Sequence, residues 1–373
     1  MTESKQLGLG LVGCGDFGLF CAEAYNSLDG IKMVAAADLR KDLADRIAEQ
    51  FEGASSYGEF AQMLKDPAVD LVHVATPPSS HYQLVMAALE ADKHVLCEKP
   101  LSMTAQQGQE MVELARKKKK ICPVNFVMRY NQITEAVKTI LGEELIGQAL
   151  SARLTNCASD AKLVPSHWFW DLDVAGGIFV EHGVHFFDLY RYWFGDGEII
   201  GSHAENRPGT EMQDRVTCEV HHANGVISSH FHGFDQVRPL DRTDHRIVCE
   251  LGDIRIDQWI PITLTVEAVV DAATEARLAE VCPGCSIATL AEYQGSDRNV
   301  RKRGKELAVD KLIRLSYTPS PDKQSVYAQS VRDLMVDQLA FINDENHKRV
   351  VAEINGLEAI KLAATAAQRA AGS

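Results

Sequence analysis

Six residues near the start of the chain, Gly13-Cys14-Gly15-Asp16-Phe17-Gly18, constrain its fold more than any other feature. They follow an apolar run, Leu7–Val12, and open residues 16–28, where Phe17, Phe20, Cys21 and Ala24 recur at helical spacing. Strand, tight glycine turn and helix in that order match G-x-G-x-x-G, on which a dinucleotide's pyrophosphate rests. Gly13 then makes the turn, Gly15 admits phosphate to the backbone, and Gly18 lets helix and strand pack closely. Asp16 and Phe17 sit in the first helical turn, whose N–H groups are free to bind phosphate. Asp38 closes the next strand, 20 residues after Gly18. Its carboxylate there accepts from ribose hydroxyls and repels a 2′-phosphate, which favours NAD over NADP, with nearby Arg40 softening the preference. The plainer alternative is a glycine turn in another doubly wound protein, with Asp38 capping the next helix.

The pattern repeats. Strand-like segments at 31–37, 71–75, 94–97 and 121–124 alternate with helical ones at 40–50, 80–89 and 105–117, which implies parallel pairing and right-handed crossovers. From about Gly147 the texture becomes alternating apolar and polar, as in 149–154, 215–221, 225–231 and 246–251, which suits antiparallel strands. The fold class expected is α/β: an N-terminal Rossmann fold with a parallel sheet over 1–126, plus a C-terminal α+β domain with a large, mostly antiparallel open sheet over 127–350. Residues 275–321 read as an insertion or long loop, and 351–373 as a C-terminal helix.

Composition bounds the partners. The 373 residues suit two domains rather than one core. Acidic groups outnumber basic ones 52 to 38, a formal charge of −14, which argues against nucleic acid or a membrane surface and for a small molecule. An anionic cofactor must therefore be held by local backbone dipoles. No apolar run is long enough to span a bilayer, and the opening Met-Thr-Glu-Ser-Lys-Gln lacks the basic and apolar regions of a signal peptide, so a cytoplasmic location is expected. Nine scattered cysteines read as reduced thiols. Cys282-x-x-Cys285 has no second such pair and reads as a loop, and Lys117 to Lys120 as a solvated helix cap.

Residues 94–100, His-Val-Leu-Cys-Glu-Lys-Pro, put Glu98 and Lys99 at the carboxyl end of a buried strand, the edge where open α/β sheets bind ligands. A lysine there donates to a substrate hydroxyl or carbonyl, and partial burial with a nearby cation lowers its pKa. The alternative is a surface lysine paired with Glu98. Turn 13–18, residues 75–81 (Ala-Thr-Pro-Pro-Ser-Ser-His) and residues 93–100 together resemble the glucose-fructose oxidoreductase, inositol dehydrogenase and MocA (Gfo/Idh/MocA) family, and residues 125–130 resemble its hinge. The resemblance weakens across 275–321. It implies that Thr76, Pro77, His81, Glu98, Lys99 and Asn125 border the cofactor and that Lys99 assists proton transfer. It also implies a homodimer or homotetramer paired through the C-terminal sheet.

Residues 176–190 are the second informative block. Glu181, His185, Asp188 and Tyr192 fall at i, i+4, i+7 and i+11, a polar stripe on an apolar helix expected over about 182–194. Such a stripe lines a cavity or carries a burial penalty. His185 can shuttle a proton near neutral pH, and a carboxylate one turn away can orient it or raise its pKa. The family's motif is Gly-Gly-Gly followed by Asp-x-Gly-x-His. Here Ile178 stands for the third glycine and Glu181 for the aspartate, keeping the acid one methylene longer. The resemblance implies catalytic roles for Lys99, His185 and Glu181. Trp168 and Asp171, an aromatic face beside an acid, suit a sugar substrate; Arg153, Asn156, His167 and Arg238 are weaker candidates. A buried His185–Asp188 pair is the structural alternative. A metal would recruit Glu181, His182, His185, His230 and His232, but no complete ligand set has standard spacing, so none is expected. The function implied is an NAD(P)-dependent dehydrogenase oxidising a hydroxyl of a sugar, cyclitol or related polyol to a ketone. The alternatives are an NAD-dependent glycosidase using transient oxidation and a non-catalytic dinucleotide-sensing regulator.

Overall fold

The computed structural model describes residues 6–372, so residues 1–5, on which the reading of the opening segment rests, lie outside it. Leu7–Val12 (β1) is buried along its whole length, as a strand covered on both faces must be. It is central in a five-stranded parallel sheet with β2 (Ile31–Ala37), β3 (Ser55–Tyr57), β4 (Leu71–Val74) and β5 (His94–Cys97), ordered β3-β2-β1-β4-β5. Helices α1 (Asp16–Tyr25), α2 (Lys41–Gln50), α3 (Phe60–Met63), α4 (His81–Glu90) and α5 (Ala105–Lys118) alternate with the strands. The chain leaves β1 towards one edge and returns on its other side at β4, so the ends of β1 and β4 form a switch point. Packing there excludes side chains. A Cβ on Gly13, whose φ is +93°, would stand 2.3 Å from the carbonyl oxygen of Ala75, and one on Gly18 would stand 2.2 Å from that of Gly13. Residues 121–124, expected as a further strand, run beside β5 through a bridge between Val124 and Cys97 and bonds from the Val95 and Cys97 amides to the Ile121 and Pro123 carbonyls, both at 3.0 Å, without forming a full strand. Pro123 has no N–H with which to extend a ladder.

The second sheet has nine strands: β6 (Ala149–Ser159), β7 (Gly197–Asn206), β8 (Gln213–His222), β9 (Ile227–Gln236), β10 (Arg242–Cys249), β11 (Gly252–Asp257), β12 (Thr263–Val270), β13 (Ser286–Glu292) and, after β14 (Asn299–Lys302) and β15 (Lys305–Ala308), β16 (Lys311–Tyr317). Its order is β13-β16-β12-β11-β10-β6-β9-β8-β7, and only β6 and β9 run parallel. Burial alternates as a half-covered sheet requires: Val216, Cys218, Val220 and His222 are buried along β8 and the residues between them are not. The expected loop at 275–321 is corrected here. It carries the edge of this sheet, because Ile313, Leu315 and Tyr317 give β16 a core face, while β14 and β15 pair as a separate hairpin. Cys282 to Cys285 is a turn within it, closed by a 3.0 Å bond from the Cys285 amide to the Cys282 carbonyl, with burial pushing the Cys282 thiol up to about 12. Among the described residues no helix is long and apolar enough to cross a membrane.

By contacts the chain forms two compact units. The first joins the residues up to Tyr130 with Pro165–Asp188 and Tyr327–Ala367; the second comprises Asn131–Val164, Leu189–Val326 and the residues from Gln368. Glu181 and His185, which a single cut at residue 126 assigns to the second domain, therefore pack within the first unit.

Within the second unit His222, His230, His232 and His245 are all buried. Their bonds have one consistent proton order. His222 Nδ1 donates to the Gly195 carbonyl at 3.2 Å, so its Nε2 accepts from Ser228 Oγ at 2.9 Å, which in turn accepts from His230 Nε2 at 2.9 Å. That order holds with the rings of His222 and His230 neutral, the form that burial favours. Burial accordingly lowers the pKa of His222 and His230, and takes His245 down to about 3. The unfolded chain binds these protons near pH ~6.5, the folded chain only further down. The cluster's stabilisation is thus complete above that pH and is lost as pH falls towards the folded values. We expect the unfolding free energy, and with it the urea midpoint, to drop between pH 7 and 5, the free energy by up to about 1.4 kcal/mol per pH unit for each such histidine. A midpoint constant across that range would contradict a neutral cluster.

Candidate active site

The glycine turn leaves its middle open. A Cβ on Gly15 would meet nothing within 4 Å, and Gly15 caps α1 without any side-chain bond to the helix amides. Asp38 holds the turn in place: Oδ2 accepts from the Cys14 amide at 2.8 Å and Oδ1 from the Arg40 amide at 2.9 Å. Each oxygen keeps a further lone pair for a hydroxyl. Asp38 does not cap α2, whose N-cap is Arg40. The Arg40 guanidinium is exposed, 4.0 Å from Asp42. Arg46, which sequence reasoning missed, reaches the Cys14 carbonyl at 3.4 Å. Asp16 is exposed in the first turn of α1, whereas the Phe17 ring packs 6.0 Å from both Phe20 and Tyr327.

At the ends of β4 and β5 the motif residues brace one another. His81 is buried with Nδ1 at 2.7 Å from the Pro100 carbonyl and Nε2 at 2.8 Å from that of Thr76, so it ties the two loops together. Thr76 Oγ1 bonds Ser80 Oγ at 2.7 Å, and Pro77 is exposed. Glu98 is not paired with Lys99. Its Oε1 accepts from Asn125 Nδ2 at 2.6 Å and lies 3.0 Å from His73 Nε2, and Asn125 Oδ1 is buried with no hydrogen-bond partner. Cys21, His73 and Glu98 offer ligand atoms within 4.8 Å of one another, the one such group among the described residues. Burial, then the Glu98 charge, holds the Cys21 thiol well above its usual pKa, while His73 and Asn125 both meet the Glu98 carboxylate. His73 was legible as a lone polar residue inside an apolar strand.

Lys99 reaches Glu181. Its ammonium donates to the Glu181 carbonyl at 2.9 Å and forms an ion pair with the Glu181 carboxylate, the two side chains being 18% and 12% exposed. Glu181 lies in a π-helical turn, Phe179–Gly183, that leads into the helix Val184–Phe194. Gly176 and Gly177, with φ of +78° and +81°, set up that turn, whereas Ile178 at φ −60° needs no glycine. His182 and His185 follow. Burial, then the Lys99 charge, takes His182 down to about 3, and burial, Lys99 and His182 in that order lower His185 well below its usual value. The expected upward pull on His185 by an acid is thereby corrected: burial dominates, and the Lys99 cation adds to the downward shift. The polar stripe also divides. Asp188 takes a bidentate pair from Arg129, at 2.7 Å and 2.6 Å, and Tyr192 donates to Glu135 at 2.6 Å.

The remaining candidates have structural partners. Asp171 is exposed and caps the helix Leu172–Ala175 through the Asp173 amide at 2.9 Å. Trp168 is 37% exposed and lies 5.3 Å from the ring of His167, whose Nδ1 accepts from the Phe169 amide. In the second unit Asn156 is buried against Thr243 at 2.8 Å, Arg153 and Arg238 are exposed, and His230 and His232 belong to the histidine cluster.

A parallel sheet with a glycine turn at its switch point, followed by a large antiparallel sheet, defines a dinucleotide-binding oxidoreductase architecture. Residues 7–126 match the "Oxidoreductase family, NAD-binding Rossmann fold" and residues 134–255 the "GFO/IDH/MocA C-terminal domain". The chain belongs to the Gfo/Idh/MocA oxidoreductase family. It is 30% identical to a myo-inositol 2-dehydrogenase of Thermotoga maritima over 50% of this chain and 55% of that protein. It is 31% identical to a D-xylose 1-dehydrogenase (NADP(+)) of Hypocrea jecorina over 57% of this chain and 60% of that one. The chain thus matches little more than half the length of these relatives. A levoglucosan dehydrogenase solved with NADH and levoglucosan shares the fold with a TM-score of 0.78, at 20% identity, over 98% of this chain and 97% of that one.

Proposed function

We propose that this protein is an NAD-dependent dehydrogenase that oxidises a secondary hydroxyl of a sugar, cyclitol or related polyol to a ketone. The observation that carries the reading is Lys99 at the end of β5, its ammonium bound to Glu181, with His185 buried and neutral nearby in sequence. The turn fits the cofactor: Gly15 is open, the first amides of α1 have no side-chain cap, Asp38 has lone pairs free for ribose hydroxyls, and the bare Asn125 Oδ1 suits a carboxamide N–H. When bound, NAD supplies the hydride acceptor. Lys99 donates a hydrogen bond to the substrate oxygen, and Glu181 holds the ammonium in place. His185, being neutral, accepts the hydroxyl proton as the carbon becomes a carbonyl. The relatives' printed activities, on myo-inositol and D-xylose, support polyhydroxylated substrates. The test is initial-rate formation of reduced nicotinamide across a panel of cyclitols and aldoses. No turnover with any of them, while NAD binds, would reject the dehydrogenase reading in favour of a cofactor-binding protein without chemistry.

Asp38 sets the cofactor. Asp38→Ser removes the charge that repels a 2′-phosphate while leaving a hydroxyl for the Cys14 amide. We expect the NAD-to-NADP ratio of kcat/KM to fall by about 100-fold, the scale on which one charged contact discriminates between ligands. An unchanged ratio would place the ribose elsewhere.

A further inference from the structure

We propose that a second site, at the opposite end of β5 from Lys99, binds an organic anion with an apolar body. A cleft of about 460 Å³ opens there, lined by His94, the end of α5, Ile121 and residues 341–354, all within the first unit. It is of ligand-site size. Val112, Ile121, Phe341 and Ile354 give it apolar walls, and Arg116, Lys119 and Lys120 bring three cations.

Its charge does not follow from helix capping alone. Lys118 of the same basic run is spent on Glu90 and Asp92, whereas Arg116, Lys119 and Lys120 form no ion pair among the described residues. The acids that line the cleft do not neutralise them. Glu353 is held by Arg349 at 2.7 Å, which leaves Glu345 alone against three cations. The effect registers on His94, whose pKa falls to about 4 through burial first and the Lys120 charge second. The ring still offers a donor: the Ile121 amide donates to Nδ1 at 3.3 Å, so the proton sits on Nε2. Arg349 covers the Phe341 ring at 4.0 Å, fixing one wall. In a chain of net charge −14 this is a local reversal of field beside an apolar surface. Such a combination suits a carboxylate, sulfonate or phosphate ester carried on a hydrocarbon or aromatic body. The site is separate from the candidate active site, because the strand between His94 and Lys99 spans about 16 Å.

The test uses naphthalene-1-sulfonate as probe, titrated calorimetrically into the full chain at low salt, with neutral 1-naphthalenemethanol beside it. The sulfonate should saturate one site, and the alcohol should bind at least about tenfold more weakly, the worth of a charge-assisted contact. Reversing both cleft charges, Arg116→Glu with Lys120→Glu, should weaken the sulfonate by at least about tenfold. Lys118→Glu, which changes the same helix end outside the cleft lining, should shift it by less than about threefold. An unchanged melting temperature in each variant establishes that folding is not the cause. Absence of saturable binding, equal affinity for the alcohol, or equal loss in Lys118→Glu would overturn the proposal.

Discussion

Lys99→Met should lower kcat/KM for the best polyol substrate by about 10³-fold, with the NAD dissociation constant changed by less than about threefold. Methionine keeps the length and apolar stem of lysine and removes only the ammonium. What is lost is the one cation that meets the Glu181 carbonyl and carboxylate together. A proton donor to developing charge on oxygen is worth most in the transition state, so the loss should fall on kcat as well as on kcat/KM. Glu181→Gln should be milder, since the backbone carbonyl still receives the ammonium. Lys99→Met also frees His182 and His185 from a charge that adds to burial in holding their pKa values down. An acid limb in the pH profile should therefore move to higher pH in Lys99→Met, the direction expected when a neighbouring cation is removed. Turnover within about tenfold of the parent would exclude Lys99 from the chemistry.

The glycine turn and Lys99 were legible because their chemistry is local. A handful of consecutive residues defines the turn, and a strand of known direction places the lysine at its carboxyl end. The helix block was harder. A stripe drawn at 3.6 residues per turn assumes one regular helix, but Phe179–Gly183 winds as a π turn before the helix Val184–Phe194 begins. Partners also come from far along the chain: Arg129 for Asp188, 59 residues away, and Lys99 for Glu181, 82 away. No periodicity reports such pairs. Residues 275–321 concealed the edge of the second sheet for a different reason. β13 is mostly exposed and so has no apolar alternation, and only the buried Ile313, Leu315 and Tyr317 of β16 gave a signal. His81 was read as a neighbour of the cofactor. The contacts it makes are to two backbone carbonyls, a bracing role that side-chain identity does not reveal.

The largest effect on stability should come from breaking the Arg129–Asp188 pair. The guanidinium and carboxylate are 6% and 2% exposed and meet through two bonds, and Arg129 also donates to the Val350 carbonyl at 3.2 Å. Three separated segments are thereby joined inside the first unit: the turn Val127–Tyr130, the helix bearing Asp188, and the approach to the C-terminal helix. Burying two charges gains little net energy, because desolvation offsets most of the attraction; stranding one of them is costly. Asp188→Ala should thus destabilise the protein by about 3–5 kcal/mol in urea unfolding, because the buried guanidinium loses this carboxylate. Arg129→Met with Asp188→Leu removes both charges and keeps the volume, so it should recover more than half of that loss. Recovery separates a charge effect from a packing effect: if the double variant is as unstable as the sum of its parts, the pair acts through shape and not through its charges. Since Asp188 lies one helical turn beyond His185, any loss of activity in Asp188→Ala that the double variant restores is a loss of position, with the proton-transfer groups themselves intact.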